Sequence, residues 1–178
     1  MSTSVAVGAA PAVLTITVVS PCVLGIDPGG SLTVDIASVV DEYGMPFIPR
    51  YRVAARLRDA ALTVLSESGA TDADVECATA LFGASGISDR RRRALTVGHA
   101  QLPRAAQASV VNAVTLSENH FPSSRLLRSA VRSALTVTLT STARDERGAP
   151  RTGTLRDVEA VIPGVVFEAD LSWAPGGP

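Results

Sequence analysis

The chain has 178 residues, 46% of them hydrophobic and 19% charged, a size and balance that fit a globular domain with a sizeable core and exclude a disordered chain. No apolar run reaches the roughly 18 residues a membrane-spanning helix needs, and the N-terminus lacks the basic start of a secretory signal. Cys22 and Cys77 show neither metal-ligand spacing nor a disulfide framework, which favours a reducing, cytoplasmic setting.

In chain order, Ala12 to Ser20 is β-branched and alternating and predicts a strand. Pro21 to Ser31 is a glycine- and proline-bearing loop, Leu32 to Val40 is extended, and Glu42-Tyr43-Gly44 makes a turn. After Pro49, the positions Val53, Leu57, Ala61 and Val64/Leu65 fall on one helical face, and Ser68-Gly69 ends that helix. Asp74 to Phe82 reads as a second short helix broken by Gly83, and residues 83–89 as a turn. Ala94 to Val97 reads as a strand, and Val110 to Leu116 is apolar and β-branched, a strand-like composition. Leu135 to Ser141 and Leu155 to Ile162 are the arms of a hairpin with its tip in residues 144–154, and Val165 to Trp173 is a last strand. This succession predicts an α+β fold in a single domain over 1–178, with an ordered core at 12–173 and tails at 1–11 and 174–178.

All 16 basic residues are arginine, and a net charge of −1 hides how they are sorted. Residues 50–58 carry Arg50, Arg52, Arg56 and Arg58 with no acid among them, whereas 59–89 carry six acids and no arginine. Eight arginines follow in 90–132 against the single Glu118. The pattern predicts a basic face within a near-neutral total. Arg50 and Arg52 begin a helix, where the backbone dipole already disfavours cations, so an anion is needed to answer them. A carboxylate of this chain and a phosphate backbone fit equally well. The run of four arginines at 90–93, with Arg90, Arg91 and Arg92 the candidates for RNA, is weaker, since most such runs are solvated loops. Asp35 and Asp41 lie in one short apolar segment. Asp35 reads either as a strand-end cap or as an exposed carboxylate that holds a metal ion or orients a nucleophile. Phosphate-loop, dinucleotide and serine-hydrolase motifs are missing, and His99 and His120 are too few for a triad or a histidine metal site.

The stretch DIASVVDEYGMPFIPRYRVAARLR, residues 35–58, resembles the RAMP superfamily of CRISPR-associated proteins, and within it the backbone subunits of type III effector complexes. ALFGASG at 80–86, RRRALTVGHAQL at 91–102 and GTLRDVEAVIPGVVFEADL at 153–171 are similar to successive segments of the same family. The resemblance implies an RRM-like (ferredoxin-like) core with a protruding β-hairpin, or thumb, that inserts between bases of a guide–target duplex. It implies CRISPR RNA and target RNA as partners, beside other effector subunits or copies of the chain, and no membrane. In catalytic members the aspartate matching Asp35 supports metal-dependent endoribonuclease cleavage of target RNA by attack of the neighbouring 2′-hydroxyl. A divalent cation, magnesium or manganese, would serve such a site. The arginines at 50, 52, 56, 58 and 90–92 would hold RNA.

The chain departs from the family in three places, one of them the absence of the acidic residue often found where His99 stands. The family's Gly-Ser-Ser-x-Lys-Gly turn after Ile-Pro is replaced by Arg50-Tyr51-Arg52-Val53-Ala54-Ala55, which removes close backbone approach and leaves arginine forks in its stead. The family's further helix and glycine-rich basic loop have no match after Trp173, so the expected fold is incomplete at its C-terminus. Two functions follow from this reading. One is an RNA-binding subunit that cleaves through Asp35, and the other is a catalytically inactive adaptor or completion subunit acting through protein contacts. A guide-processing nuclease of the same superfamily is a weaker third, because no histidine or tyrosine constellation stands in a suitable loop.

Overall fold

The computed structural model describes residues 12–25, 35–83, 93–120, 124–144, 146–147 and 149–173. The elements run β1 (Ala12–Thr17), α1 (Arg50–Glu67), α2 (Asp72–Phe82), β2 (Leu95–Val97), α3 (Arg104–His120), α4 (Ser124–Leu135), β3 (Thr136–Arg144), β4 (Pro150–Val161) and β5 (Val166–Trp173). The strands form a three-stranded sheet in the order β1–β5–β2 and a separate β3–β4 hairpin. Helices and antiparallel strands in this succession make an α+β fold. The chain divides into two compact units, one taking in Pro49–Ala100 and the outer ends of β1 and β5, the other Thr15–Ile48 and Gln101–Phe167.

In the first unit, α1 buries Val53 and Ala54 and half-buries Leu57 and Ala61, the three-and-four spacing expected of one apolar face. The helix stops where the Ser68 N–H donates to Val64 O at 3.0 Å and Gly69 turns to φ 69°, a conformation that carries no steric cost without a Cβ. A reciprocal capping box opens α2: the Thr71 N–H donates to Asp74 Oδ2 at 2.9 Å while the Thr71 side chain accepts from the third-residue backbone. The hydrogen bonds from Thr71 hold the Asp74 carboxyl below its ordinary value. β2 pairs antiparallel with the end of β5, Leu95 opposite Trp173 and Val97 opposite Leu171.

The second unit is organised around β4. On one edge β3 pairs with it antiparallel from Thr136↔Val161 to Thr142↔Leu155, with a bulge between Thr142 and Arg144. On the other edge lie Ile36, parallel to Val158, and Cys22, antiparallel to Val161. At the base of the hairpin β4 is therefore paired on both of its edges, which covers the outer edge that strand would present in an isolated hairpin. Val114, Val161 and Phe167 of this unit are fully buried, each contributing roughly 1.5–3 kcal/mol.

Residues 110–116 are helical, not extended. They lie in α3, where Gln107, Val110, Val111, Val114 and Ser117 form the inward stripe, so packing at helical spacing outweighs the strand preference of the valines. α4 follows where the sequence suggested no element, with Leu127, Val131 and Leu135 at four-residue spacing on its half-buried face.

Candidate functional site

Asp35 and Asp41, equivalent by spacing, have different surroundings. Asp41 Oδ1 accepts from the Tyr43 and Met45 N–H groups, each at 2.9 Å, and its own N–H donates to Met45 O at 2.9 Å. Its carboxylate is committed to closing the 41–45 turn. Gly44 sits in that turn at φ 86°, and a Cβ there would collide with the Arg128 carbonyl of α4.

Asp35 is exposed. Its N–H donates to Asp157 O at 2.8 Å, and its Oδ2 accepts from the Asp157 N–H at 2.8 Å. The next residues continue the ladder: the Glu159 N–H donates to Ile36 O at 2.8 Å, and the Ser38 hydroxyl donates to Glu159 O at 3.3 Å. From the far side Gly25 approaches this strip so closely that any Cβ would collide with the Ile36 side chain and the Ala37 carbonyl. Residues 35–38 are thus a short extra strand laid on β4, with Asp35 at its outer end.

The strip is tied down by a buried acid. Glu159 is 8% exposed, and its Oε2 accepts from the Ser38 N–H at 2.7 Å and from Arg132 Nη2. Its Oε1 accepts from Arg132 Nε at 2.7 Å and lies 2.9 Å from the Thr136 hydroxyl. That hydroxyl is also 2.8 Å from Arg132 O, so its single proton is shared between two acceptors. Burial pushes the Glu159 carboxyl up, but the hydrogen bonds from Arg132, Ser38 and Thr136, with the guanidinium charge, outweigh it and leave the group below its ordinary value. Arg132 is correspondingly raised by its bond to Glu159. The two-pronged arginine–carboxylate contact has the geometry that favours arginine over lysine. Sequence reasoning missed these four residues. The available signals were an acid interrupting the apolar run of β4 and an arginine in the last turn of α4, where the helix dipole favours a cation.

Of the arginines expected to hold RNA, Arg50, Arg52, Arg56 and Arg58 all lie in the first three turns of α1. Arg50 and Arg56 are exposed, and Arg52 and Arg56 stand one turn apart on the same helical face. Arg58 Nη2 meets Asp59 Oδ1 at 3.1 Å. The first turn of α1 contains no acidic residue, and Pro49 provides no side-chain cap. His99 supplies an acceptor there, its Nδ1 lying 3.3 Å from the Arg50 N–H, which requires that nitrogen to be unprotonated. Asp35 belongs to the second unit and these arginines to the first. Arg90, Arg91 and Arg92 lie outside the described residues. Among the described residues, no three His, Cys, Asp or Glu side chains gather into a metal-ligating group, and no helix is long and apolar enough to cross a membrane.

No known family's sequence pattern matches this chain, and no curated protein does. Solved structures do. A chain in the cryo-EM structure of the Type III-B Cmr-beta bound to cognate target RNA superposes with a TM-score of 0.67 over 94% of this chain and 85% of its own length, at 10% identity. A chain in the apo state of Type III-B Cmr-beta superposes with a TM-score of 0.61 over 89% and 82%, at 11% identity. The chain therefore shares its fold with a component of type III-B effector complexes.

Proposed function

We propose that this chain is an RNA-binding backbone subunit of a type III-like, RNA-targeting CRISPR effector complex. In this reading its core is RRM-like and the β3–β4 hairpin is the thumb that reaches the RNA. The observation that carries the proposal is the likeness over 94% of the chain to a component of a complex bound to cognate target RNA. The basic start of α1 agrees with it. Arginine forks without a carboxylate in the first turn suit phosphate oxygens, and an anion there would offset the cost of cations at a helix N-terminus.

Asp35 is the residue we assign to target cleavage. Attack by a ribose 2′-oxygen forms the O2′–P bond and breaks the P–O5′ bond, giving a 2′,3′-cyclic phosphate and a 5′-hydroxyl. The 2′-hydroxyl loses its proton, and the departing 5′-oxygen gains one. Such a reaction depends on holding the hydroxyl in line with the phosphorus and on balancing charge. With Oδ2 fixed by the Asp157 N–H, the Asp35 carboxylate has a defined direction in which to orient that hydroxyl. Among the described residues Asp35 belongs to no group of three or more ligating side chains, so a magnesium or manganese ion held there would be shared with RNA phosphates. Such a cation would supply charge stabilisation.

Asp35→Ala in the assembled complex tests this assignment. We expect target cleavage to be abolished with RNA affinity intact, and undiminished cleavage removes Asp35 from the chemistry. The adaptor reading draws its support from the same Asp35–Asp157 bonds, taken as a strand lock. It predicts that the complex assembles, binds no RNA through this chain, and loses stability in the variant.

A further inference from the structure

The Arg132–Glu159 contact is unusual in what it joins. Glu159 belongs to β4, Thr136 to β3, Arg132 to the end of α4, and Ser38 to the strip that begins at Asp35. One carboxylate thus receives hydrogen bonds from three other segments of the second unit. A buried ion pair adds little stability over apolar residues of the same size, because desolvation cancels much of the attraction. What it does supply is register. A slip of one residue between the strip and β4 would carry the Ser38 N–H away from Glu159 Oε2, while pairing with β3 and the contact with Arg132 keep Glu159 in place. Only the observed register lets the Ser38 N–H and the guanidinium meet the same carboxylate.

We propose that Glu159 and Arg132 are positioning residues for Asp35, clamping residues 35–38 to the returning strand of the hairpin so that the Asp35 carboxylate keeps a fixed place and moves only with the hairpin base. The inference rests on the reading that Asp35 acts on RNA. It assigns the pair no contact with RNA. Between Asp35 and the clamp runs an unbroken set of bonds, from Asp35 Oδ2 and N–H to Asp157, from Ile36 O to the Glu159 N–H, and from the Ser38 N–H to Glu159 Oε2. Releasing the clamp leaves the strip held by its bonds to the Asp157 and Glu159 backbones, with Asp35 at the exposed end. A carboxylate displaced by about 1 Å from its reacting partner loses on the order of 100-fold in rate.

The test is single-turnover cleavage of a target RNA at saturating complex, with affinity measured separately, for the chain assembled with the RNA and partner chains that accompany it. Asp35→Ala serves as the reference. Glu159→Gln puts an amide NH2 against either the Ser38 N–H or the arginine fork. We expect it to lower the saturated rate about 100-fold with target affinity unchanged, and to speed hydrogen exchange at the Ser38 amide. Arg132→Lys, which keeps the charge but not the fork, should give an intermediate rate, and Thr136→Val a smaller loss. A purely structural role would lower melting temperature and affinity together and leave the saturated rate of the folded complex at the wild-type value. That result, beside an inactive Asp35→Ala, overturns the inference while the cleavage reading stands. Full activity in Asp35→Ala overturns both. If Glu159→Gln does not assemble, wild-type rates in Arg132→Lys and Thr136→Val are sufficient to overturn the inference.

Discussion

Helices α1 and α4 treat their cations in opposite ways. At the end of α4, Arg132 meets a buried glutamate with two nitrogens, at a helix terminus whose dipole already favours positive charge. At the start of α1, Arg50 and Arg52 stand where the dipole disfavours them, with no acidic residue in the first turn. The first arrangement is complete within the protein and shapes it. In our proposal the second also meets RNA phosphate. Arginine count alone does not separate the two settings; the helix end does.

The comparison can be broken most directly by reversing charge on α1. Arg52→Glu with Arg56→Glu should leave the fold intact and weaken RNA binding about 100-fold, taking roughly 1.4 kcal/mol for each lost phosphate contact. The salt dependence of log K should flatten by about 0.7 per contact for single-stranded RNA. Unchanged affinity would mean that this face meets a protein. Arg132→Met should behave oppositely. Denaturant unfolding should show a loss of about 2 kcal/mol, since Glu159 keeps its bonds from Ser38 and Thr136, while the salt slope for RNA stays at the wild-type value.

Acid sharpens the same contrast. Because the folded protein holds Glu159 below its ordinary value, the clamp contributes fully above the unfolded-state value and is lost as pH falls through the folded one. The stability difference between wild type and Glu159→Gln should be constant above the ordinary glutamate range and close as pH falls below that range. The smallest effect is expected from His99→Ala. It removes a long, exposed bond to the first N–H of α1 and should cost about 0.5 kcal/mol.

The legible parts of the fold were those written in local signals. Alternation marked β1 and the first hairpin arm, and glycines at 69 and 83 marked the ends of α1 and α2. α3 was misread because its valines carry strand propensity, while the burial that makes them helical comes from elsewhere in the chain. The separation of Asp35 from Asp41 was illegible for a related reason, since it depends on which carboxylate finds backbone donors in the turn and which finds β4. The clamp could not be read at all. Ser38 and Glu159 are 121 residues apart, and only the register of the 35–38 strip on β4 brings them together.

The central claim is that this chain works on RNA as part of a larger assembly. It is tested most directly by purifying the chain with the components that accompany it and sequencing the RNA that copurifies. We predict RNAs of uniform length that share a common repeat-derived end. A stable assembly with partner chains but no nucleic acid would contradict the claim and favour the adaptor.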